Sequence, residues 1–399
     1  MIHFHTPTHA QIRDVDKSLL GVSAPRLVRP YLSLWSDQRS TPLVPLTEIA
    51  EDTQVESIVI KDEGQRLSLG SFKALGGAYA VMILFKRILE EHFGEEVSPA
   101  QLVSPTARDF ASRITFCCAT DGNHGKSVAA GARILGCRSV IFVHEGVTES
   151  RSEAIGADQV IRVKGNYDVS VKEAERVSKE RGWLLVSDTS WEGYEEIPSL
   201  VAQGYTILAQ ETLEQMGMLN IDPPTHVFLQ AGVGGFASSV SLHLSEVLGY
   251  RNIRTVIVEP DRAACLFASA QAGQLTSFTP TEPTIMAMLE CYTPSLVAWR
   301  ILSASASAFV TVTEDQAKEA MRMLAFRDHP VVSGESGAAG LSGYLAVARD
   351  PEARRTLGLD PKSRILLINT EGATDPASYE AIVGLAPNDV LGKTAKYSD

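Results

Sequence analysis

Short apolar, β-branched runs alternate with longer stretches of helical period along nearly the whole chain. The runs at 57–61, 113–119, 140–144, 159–163, 183–186, 225–231, 255–259, 309–312 and 364–369 read as buried parallel strands. Between most of them, residues 127–135, 169–180, 203–214, 238–248, 314–327 and 337–348 carry apolar positions at helical spacing. Such alternation predicts an α/β protein whose parallel sheets are covered by helices on both faces. Four strands between 113 and 186 predict a small sheet. Those from 225 onward, joined by 57–61, predict a larger one. The 399 residues suit two packed domains. The expected division puts 1–75 and 205–399 in a large domain and 76–204 in a small one, with the ligand in a cleft between them.

Composition narrows the partners. A hydrophobic share of 44% with 21% charged residues is ordinary for a globular chain, so a core is available. A net charge of −12 repels phosphate backbones, which argues against nucleic acid, although a cleft can still hold one phosphate. The start, MIHFHTPTHAQIRD, has no basic segment followed by an apolar run, and no apolar stretch approaches the ~20 residues of a membrane span. Cys117, Cys118, Cys137, Cys265 and Cys291 are odd in number and form no C-x-x-C pair. That speaks against a disulfide framework or a metal site and for a reducing, cytoplasmic setting. Residues 393–399 read as a frayed polar end.

Five segments can carry chemistry. Lys73, in Leu-Gly-Ser71-Phe72-Lys73-Ala-Leu-Gly-Gly-Ala-Tyr79, stands at the start of a small-residue apolar helix. The helix dipole and burial would both depress its pKa and supply a neutral amine that condenses with carbonyls. The turn Ala119-Thr120-Asp121-Gly-Asn123-His-Gly125 offers backbone N–H groups and a fixed amide at the end of a strand. The loop Ala231-Gly232-Val233-Gly234-Gly235-Phe236-Ala-Ser238 fits neither G-x-G-x-x-G nor a Walker loop, and reads as a cup for a single phosphate. Asn369-Thr370-Glu-Gly-Ala-Thr-Asp375 and Asp188-Thr-Ser-Trp191 leave their strands in the same way. Each segment alone has a plainer reading: a surface lysine, a tight turn, a packing turn, a polar loop, or an N-cap for Asp121. In combination, an amine, an amide-bearing turn, a phosphate cup and a late hydroxyl are the parts needed to hold a phosphorylated pyridine aldehyde.

These segments, in this order, resemble the fold-type II pyridoxal-phosphate enzymes, the tryptophan synthase β-like group, over nearly the whole chain. Within the group the resemblance is to the diaminopropionate ammonia-lyases. It is carried by Thr-Asp121-Gly-Asn-His-Gly, by Asp188-Thr-Ser-Trp-Glu-Gly-Tyr-Glu-Glu-Ile-Pro198, by Thr284-Ile-Met-Ala-Met-Leu-Glu-Cys-Tyr-Thr-Pro-Ser295 and by Asn369-Thr-Glu-Gly-Ala-Thr-Asp-Pro376. Leu-Ser-Leu-Gly-Ser-Phe-Lys73 and Met288, where glycine is expected, depart from that family.

The resemblance implies pyridoxal 5′-phosphate bound as a Schiff base on Lys73, with Phe72 beside it. Asn123 would hold the ring hydroxyl. The N–H groups of Gly232, Val233, Gly234, Gly235 and Phe236 would hold the phosphate, and Thr370 or Asn369 the ring nitrogen. It implies α,β-elimination of 2,3-diaminopropionate to pyruvate and ammonia, with Lys73, Asp121 and Asp188 catalytic and Asp121 acting from the face opposite Lys73. Ser71, Thr120, Asp121, Tyr167 and Asp188 would touch the substrate, a small amino acid. Alternatives within the fold are a threonine, serine or 3-hydroxyaspartate dehydratase and a β-replacement enzyme. A homodimer is also implied.

Overall fold

The computed structural model describes residues 1–120 and 122–392, and every structural statement below concerns these. The chain divides into two compact units. One comprises Met1–Val22, Ser40–Gln65 and the chain from Leu208 onward; the other comprises Ser23–Arg39 and Arg66–Ile207.

Eleven strands are described: β1 (Ile2–Phe4), β2 (Leu43–Pro45), β3 (Ser57–Asp62), β4 (Thr115–Ala119), β5 (Arg138–His144), β6 (Gln159–Val163), β7 (Leu184–Leu185), β8 (His226–Gln230), β9 (Arg254–Pro260), β10 (Ala306–Val312) and β11 (Arg364–Asn369). All nine expected strands form. The two that periodicity missed, β1 and β2, are three-residue antiparallel edges, too short to show a period.

In the first unit a seven-stranded sheet runs β1-β10-β9-β8-β11-β3-β2, parallel from β10 to β3. The chain leaves β8 toward β9 and β10 and later returns to place β11 on the other side of β8, so the direction of winding reverses between β8 and β11. At such a reversal the loops leaving the two strands diverge and open a crevice at the carboxyl edge. The sheet is dry: β8 is buried along its whole length, and Phe228, Val256, Val258, Ile365 and Leu367 pack with Tyr344 and Leu341 of the helix Ala339–Ala348.

The second unit holds a four-stranded, all-parallel sheet in the order β6-β5-β4-β7. Its winding reverses between β4 and β7. The helix Asn123–Leu135 follows β4 and packs against the helix Gly76–Phe93, which follows Lys73. Small residues set this contact. A Cβ on Gly131 would lie 2.8 Å from Ala78 Cα, and Ser127 Oγ accepts from Ala78 N at 2.9 Å and donates to Ala74 O at 3.2 Å. Because the obstacle at Gly131 is backbone, Gly131→Ala must separate the helices. We expect a loss of about 1–3 kcal/mol in chemical denaturation. An unchanged midpoint would contradict this packing.

Candidate active site

In the second unit the chemistry gathers where the winding reverses. The carboxyl end of β4 leads into Thr120 and the helix that begins at Asn123, and the chain beyond β7 brings Asp188. That helix begins four residues earlier than its apolar spacing predicted, because Gly122, at φ +142°, turns the chain directly into it. Thr120, 3% exposed, braces the turn: its Oγ1 accepts from Gly122 N at 3.0 Å and Gly125 N at 3.1 Å. Asp121, expected to act as a base, lies outside the described residues.

Lys73 sits in a 3-10 turn, Phe72–Leu75, with Ser71 as its buried N-cap, one turn ahead of the α-helix starting at Gly76. Phe72 packs edge-on against Tyr205 at 4.8 Å between ring centres. Lys73 Nζ donates a hydrogen bond to Asp188 Oδ2. Burial pushes the Asp188 carboxyl up, but the charges of Lys73 and His124 and the bond from Lys73 outweigh it and bring it down to about 2. The sequence context predicted a neutral amine at Lys73; the structure adds a counter-ion whose charge acts in the opposite direction. The two side chains form an ion pair inside the unit, with Lys73 21% and Asp188 8% exposed.

His124 completes this group. Its Nε2 lies 2.7 Å from Val186 O, a carbonyl that only accepts, so Nε2 carries the proton. Nδ1 then faces Asp188 Oδ2 at 3.9 Å as a buried nitrogen with no hydrogen-bond partner. Burial holds the His124 pKa below the usual imidazole range, although the charge of Asp188 acts in the opposite direction. Asn123 is buried at the first position of the helix. Tyr167 begins the helix Tyr167–Arg181 beyond β6, on the same edge but two strands from β4, and is half-buried.

The first unit gathers its own glycine and polar residues where β8 and β11 part. Residues 231–234 leave β8, and Gly235 opens a 14-residue helix, Gly235–Leu248, whose first N–H groups have no carbonyl partner within the helix. Gly234 holds φ +97°, a conformation only glycine takes without strain, and a Cβ on Gly232 would meet Cys291 Sγ at 2.9 Å. Gly232, Val233 and Gly235 are half-buried; Phe236 is buried. Met288 N donates to Ser336 Oγ at 3.2 Å. Beyond β11, Asn369 Nδ2 donates to Asp62 Oδ1 at 2.7 Å and Val332 O at 3.1 Å, and Asn369 Oδ1 is buried without a partner. Thr370 Oγ1 accepts from Gln230 Nε2 at 3.0 Å. Glu259, fully buried at the end of β9, accepts from Leu266 N and Phe267 N, and burial pushes it up to about 8.

In the sequence His124 stands out only as part of a turn, and Gln230 and Glu259 are not among the candidate residues. All three had a signal: a polar side chain closing an apolar strand, as in His-Val-Phe-Leu-Gln230 and Thr-Val-Ile-Val-Glu259, or following one at once.

The donor sets fit pyridoxal phosphate. One unit offers an amine with a counter-ion and a buried amide. The other offers a glycine-lined helix N-terminus for a phosphate and a buried hydroxyl for a ring nitrogen.

Residues 34–371 match the family of pyridoxal-phosphate dependent enzymes. The chain is 36% identical over 374 residues to the diaminopropionate ammonia-lyase of Escherichia coli (strain K12), covering 92% of each chain. It is 39% identical over 355 residues to that of Salmonella typhimurium, covering 86% of this chain and 87% of the other. The structure is similar to that of the Escherichia coli enzyme in complex with an aminoacrylate–PLP azomethine reaction intermediate, with a TM-score of 0.83, 35% identity, and coverage of 96% and 97%. The chain therefore belongs to the pyridoxal-phosphate dependent enzymes of fold type II, within the diaminopropionate ammonia-lyase family.

Proposed function

We propose that this chain converts 2,3-diaminopropionate and one water into pyruvate and two molecules of ammonia. The observation that carries the reading is Asp188, a buried carboxylate kept ionised against Lys73. A fixed negative charge next to the reactive amine suits a substrate with a second cationic amino group, which serine and threonine lack.

Bound pyridoxal phosphate supplies an electron sink for the charge left at the substrate's Cα. Lys73 Nζ would hold the cofactor and, as a free amine, would take the Cα proton. The C–N bond at Cβ breaks with its electron pair on nitrogen, and the proton held on Lys73 is available to the leaving ammonia. Asp188 orients Lys73 Nζ through their hydrogen bond and attracts the substrate's Cβ ammonium. By the family resemblance, Asp121 is assigned as the second base, for the other enantiomer.

Asn123 holds the ring hydroxyl, with Phe72 beside the cofactor. The N–H groups of Gly232, Val233, Gly234, Gly235 and Phe236 hold the phosphate. Of the two candidates for the ring nitrogen, Thr370 is favoured, since both amide hydrogens of Asn369 are committed to Asp62 and Val332. Ser71, Thr120 and Tyr167 are assigned to the substrate. The reduced state of all five cysteines supports a cytoplasmic setting, and the family resemblance supports a homodimer.

Keto-acid release from diaminopropionate, serine, threonine and hydroxyaspartate tests the reading. We expect kcat/KM for diaminopropionate to exceed the others by about 100-fold or more, the value of one buried charge pair. Good release from threonine with none from diaminopropionate would overturn it.

A further inference from the structure

One side chain ties the ends of β8 and β11 together where they part. Gln230, the last residue of β8 and 1% exposed, places Nε2 2.9 Å from Gly337 O, 2.9 Å from Ile368 O, 3.4 Å from Ser336 O and 3.0 Å from Thr370 Oγ1. Three of these four neighbours are carbonyl oxygens, which only accept. The amide nitrogen must therefore be the atom that faces them, and the orientation of the amide is fixed by chemistry. An amide nitrogen has no lone pair to offer, so the Thr370 hydroxyl does not donate to Gln230. Its oxygen accepts, and its hydrogen points elsewhere.

We propose that Gln230 is the positioning residue that makes Thr370 a hydrogen-bond donor toward the ring nitrogen of the bound cofactor, and so keeps that nitrogen unprotonated. This rests on the assignment of Thr370 under the proposed function. A threonine hydroxyl left to itself donates or accepts with equal ease by rotating about one bond. If it turns round, it accepts from a protonated ring nitrogen, and the pyridine becomes a deeper electron sink. An elimination needs only enough stabilisation of charge at Cα for the Cβ–N bond to break. Excess stabilisation slows that departure and favours protonation elsewhere on the cofactor. Gln230 biases the choice: two carbonyls at 2.9 Å fix its nitrogen, not its oxygen, toward the hydroxyl, so the hydroxyl hydrogen finds no acceptor there and is left for the ring nitrogen.

The surrounding packing leaves the amide little freedom. A Cβ on Gly340, in the helix Ala339–Ala348, would lie 2.8 Å from Gln230 Oε1 and 3.3 Å from Phe228 O. Gly340→Ala therefore displaces the amide while keeping it. Gln230 Oε1 is itself buried with no partner, so the side chain is held through its nitrogen.

The test uses holoenzyme reconstituted with cofactor labelled with ¹⁵N at the ring nitrogen, read by NMR beside kcat for diaminopropionate. In the natural chain we expect the signal of an unprotonated nitrogen that accepts a hydrogen bond. Thr370→Val moves it to the position of a bare nitrogen. Gln230→Met moves it away from the natural position and lowers kcat about tenfold, the loss of one buried hydrogen bond. Gly340→Ala moves it in the same direction by a smaller amount, which keeps the test open if Gln230→Met fails to fold. The double variant Gln230→Met/Thr370→Val matches Thr370→Val alone, as expected of residues that act through one contact. An unchanged signal in both Gln230→Met and Gly340→Ala, with a shift in Thr370→Val, overturns the role of Gln230 and leaves Thr370 in place. No shift in Thr370→Val overturns both.

Discussion

Lys73→Ala lowers kcat by roughly 10⁴-fold or more and removes the visible absorbance that the reconstituted protein otherwise shows. Two losses combine. The amine that condenses with the cofactor's aldehyde is gone, and so is the base that takes the Cα proton; general acid–base catalysis alone is worth about 10²–10⁴-fold. The substitution also strands Asp188, which is 8% exposed and whose ionised state depends on Lys73 and His124. Without Lys73, burial regains weight and the Asp188 carboxyl rises from its present value of about 2. A small amine added to the medium therefore restores little. Lys73→Arg keeps the positive charge and the counter-ion but has no nucleophilic amine, so it keeps the fold and loses the absorbance. Retention of the absorbance in either variant would remove Lys73 from the mechanism.

Asp188→Asn lowers kcat for diaminopropionate by about 10²–10³-fold and lowers it less for serine. The amide still accepts a hydrogen bond from Lys73 Nζ, so orientation is partly kept. What is lost is the charge, and charge is what a substrate with a second ammonium group requires. The same substitution changes the response to acid. The Asp188 pKa lies at about 2 in the folded chain, below its ordinary 3.8. A group whose folded pKa is depressed contributes stability that is fully present above its ordinary pKa and is lost as the pH falls through the folded value. The natural chain accordingly loses the stability due to this pair between about pH 4 and pH 2. Urea unfolding across that window shows a steeper acid decline for the natural chain than for Asp188→Asn. Parallel declines would mean that the pair is not ionised.

Much of the fold was legible because the strands are buried on both faces. A run such as Val-Phe-Leu in β8 has no polar alternation to confuse it, and the strand–helix rhythm forces parallel pairing. Helix starts were less legible. The helices after β4 and β8 open with Asn123-His-Gly-Lys and Gly235-Phe-Ala-Ser, whose glycines, amide and other small or polar residues carry no apolar period. The same feature that hid these boundaries marked the site: glycines and amides directly after apolar strands.

Two things could not be read from the line of residues. One is the pairing of Lys73 with Asp188, which are 115 positions apart and meet because the helix after Lys73 packs on the helix after β4. The other is the work of Gln230. From the sequence it is a polar residue at a strand end. Only the arrival of β11 beside β8 gives it Ile368 O and Thr370 Oγ1 as partners.

Lys73 is proposed to be the residue that holds the cofactor. The most direct measurement is reduction of the reconstituted protein with cyanoborohydride, which locks the bond between the cofactor's aldehyde and the amine that holds it, followed by peptide mapping. The adduct is expected on the peptide containing Ser71-Phe72-Lys73. An adduct on another lysine, such as Lys61 or Lys126, with Lys73 unmodified, would contradict it.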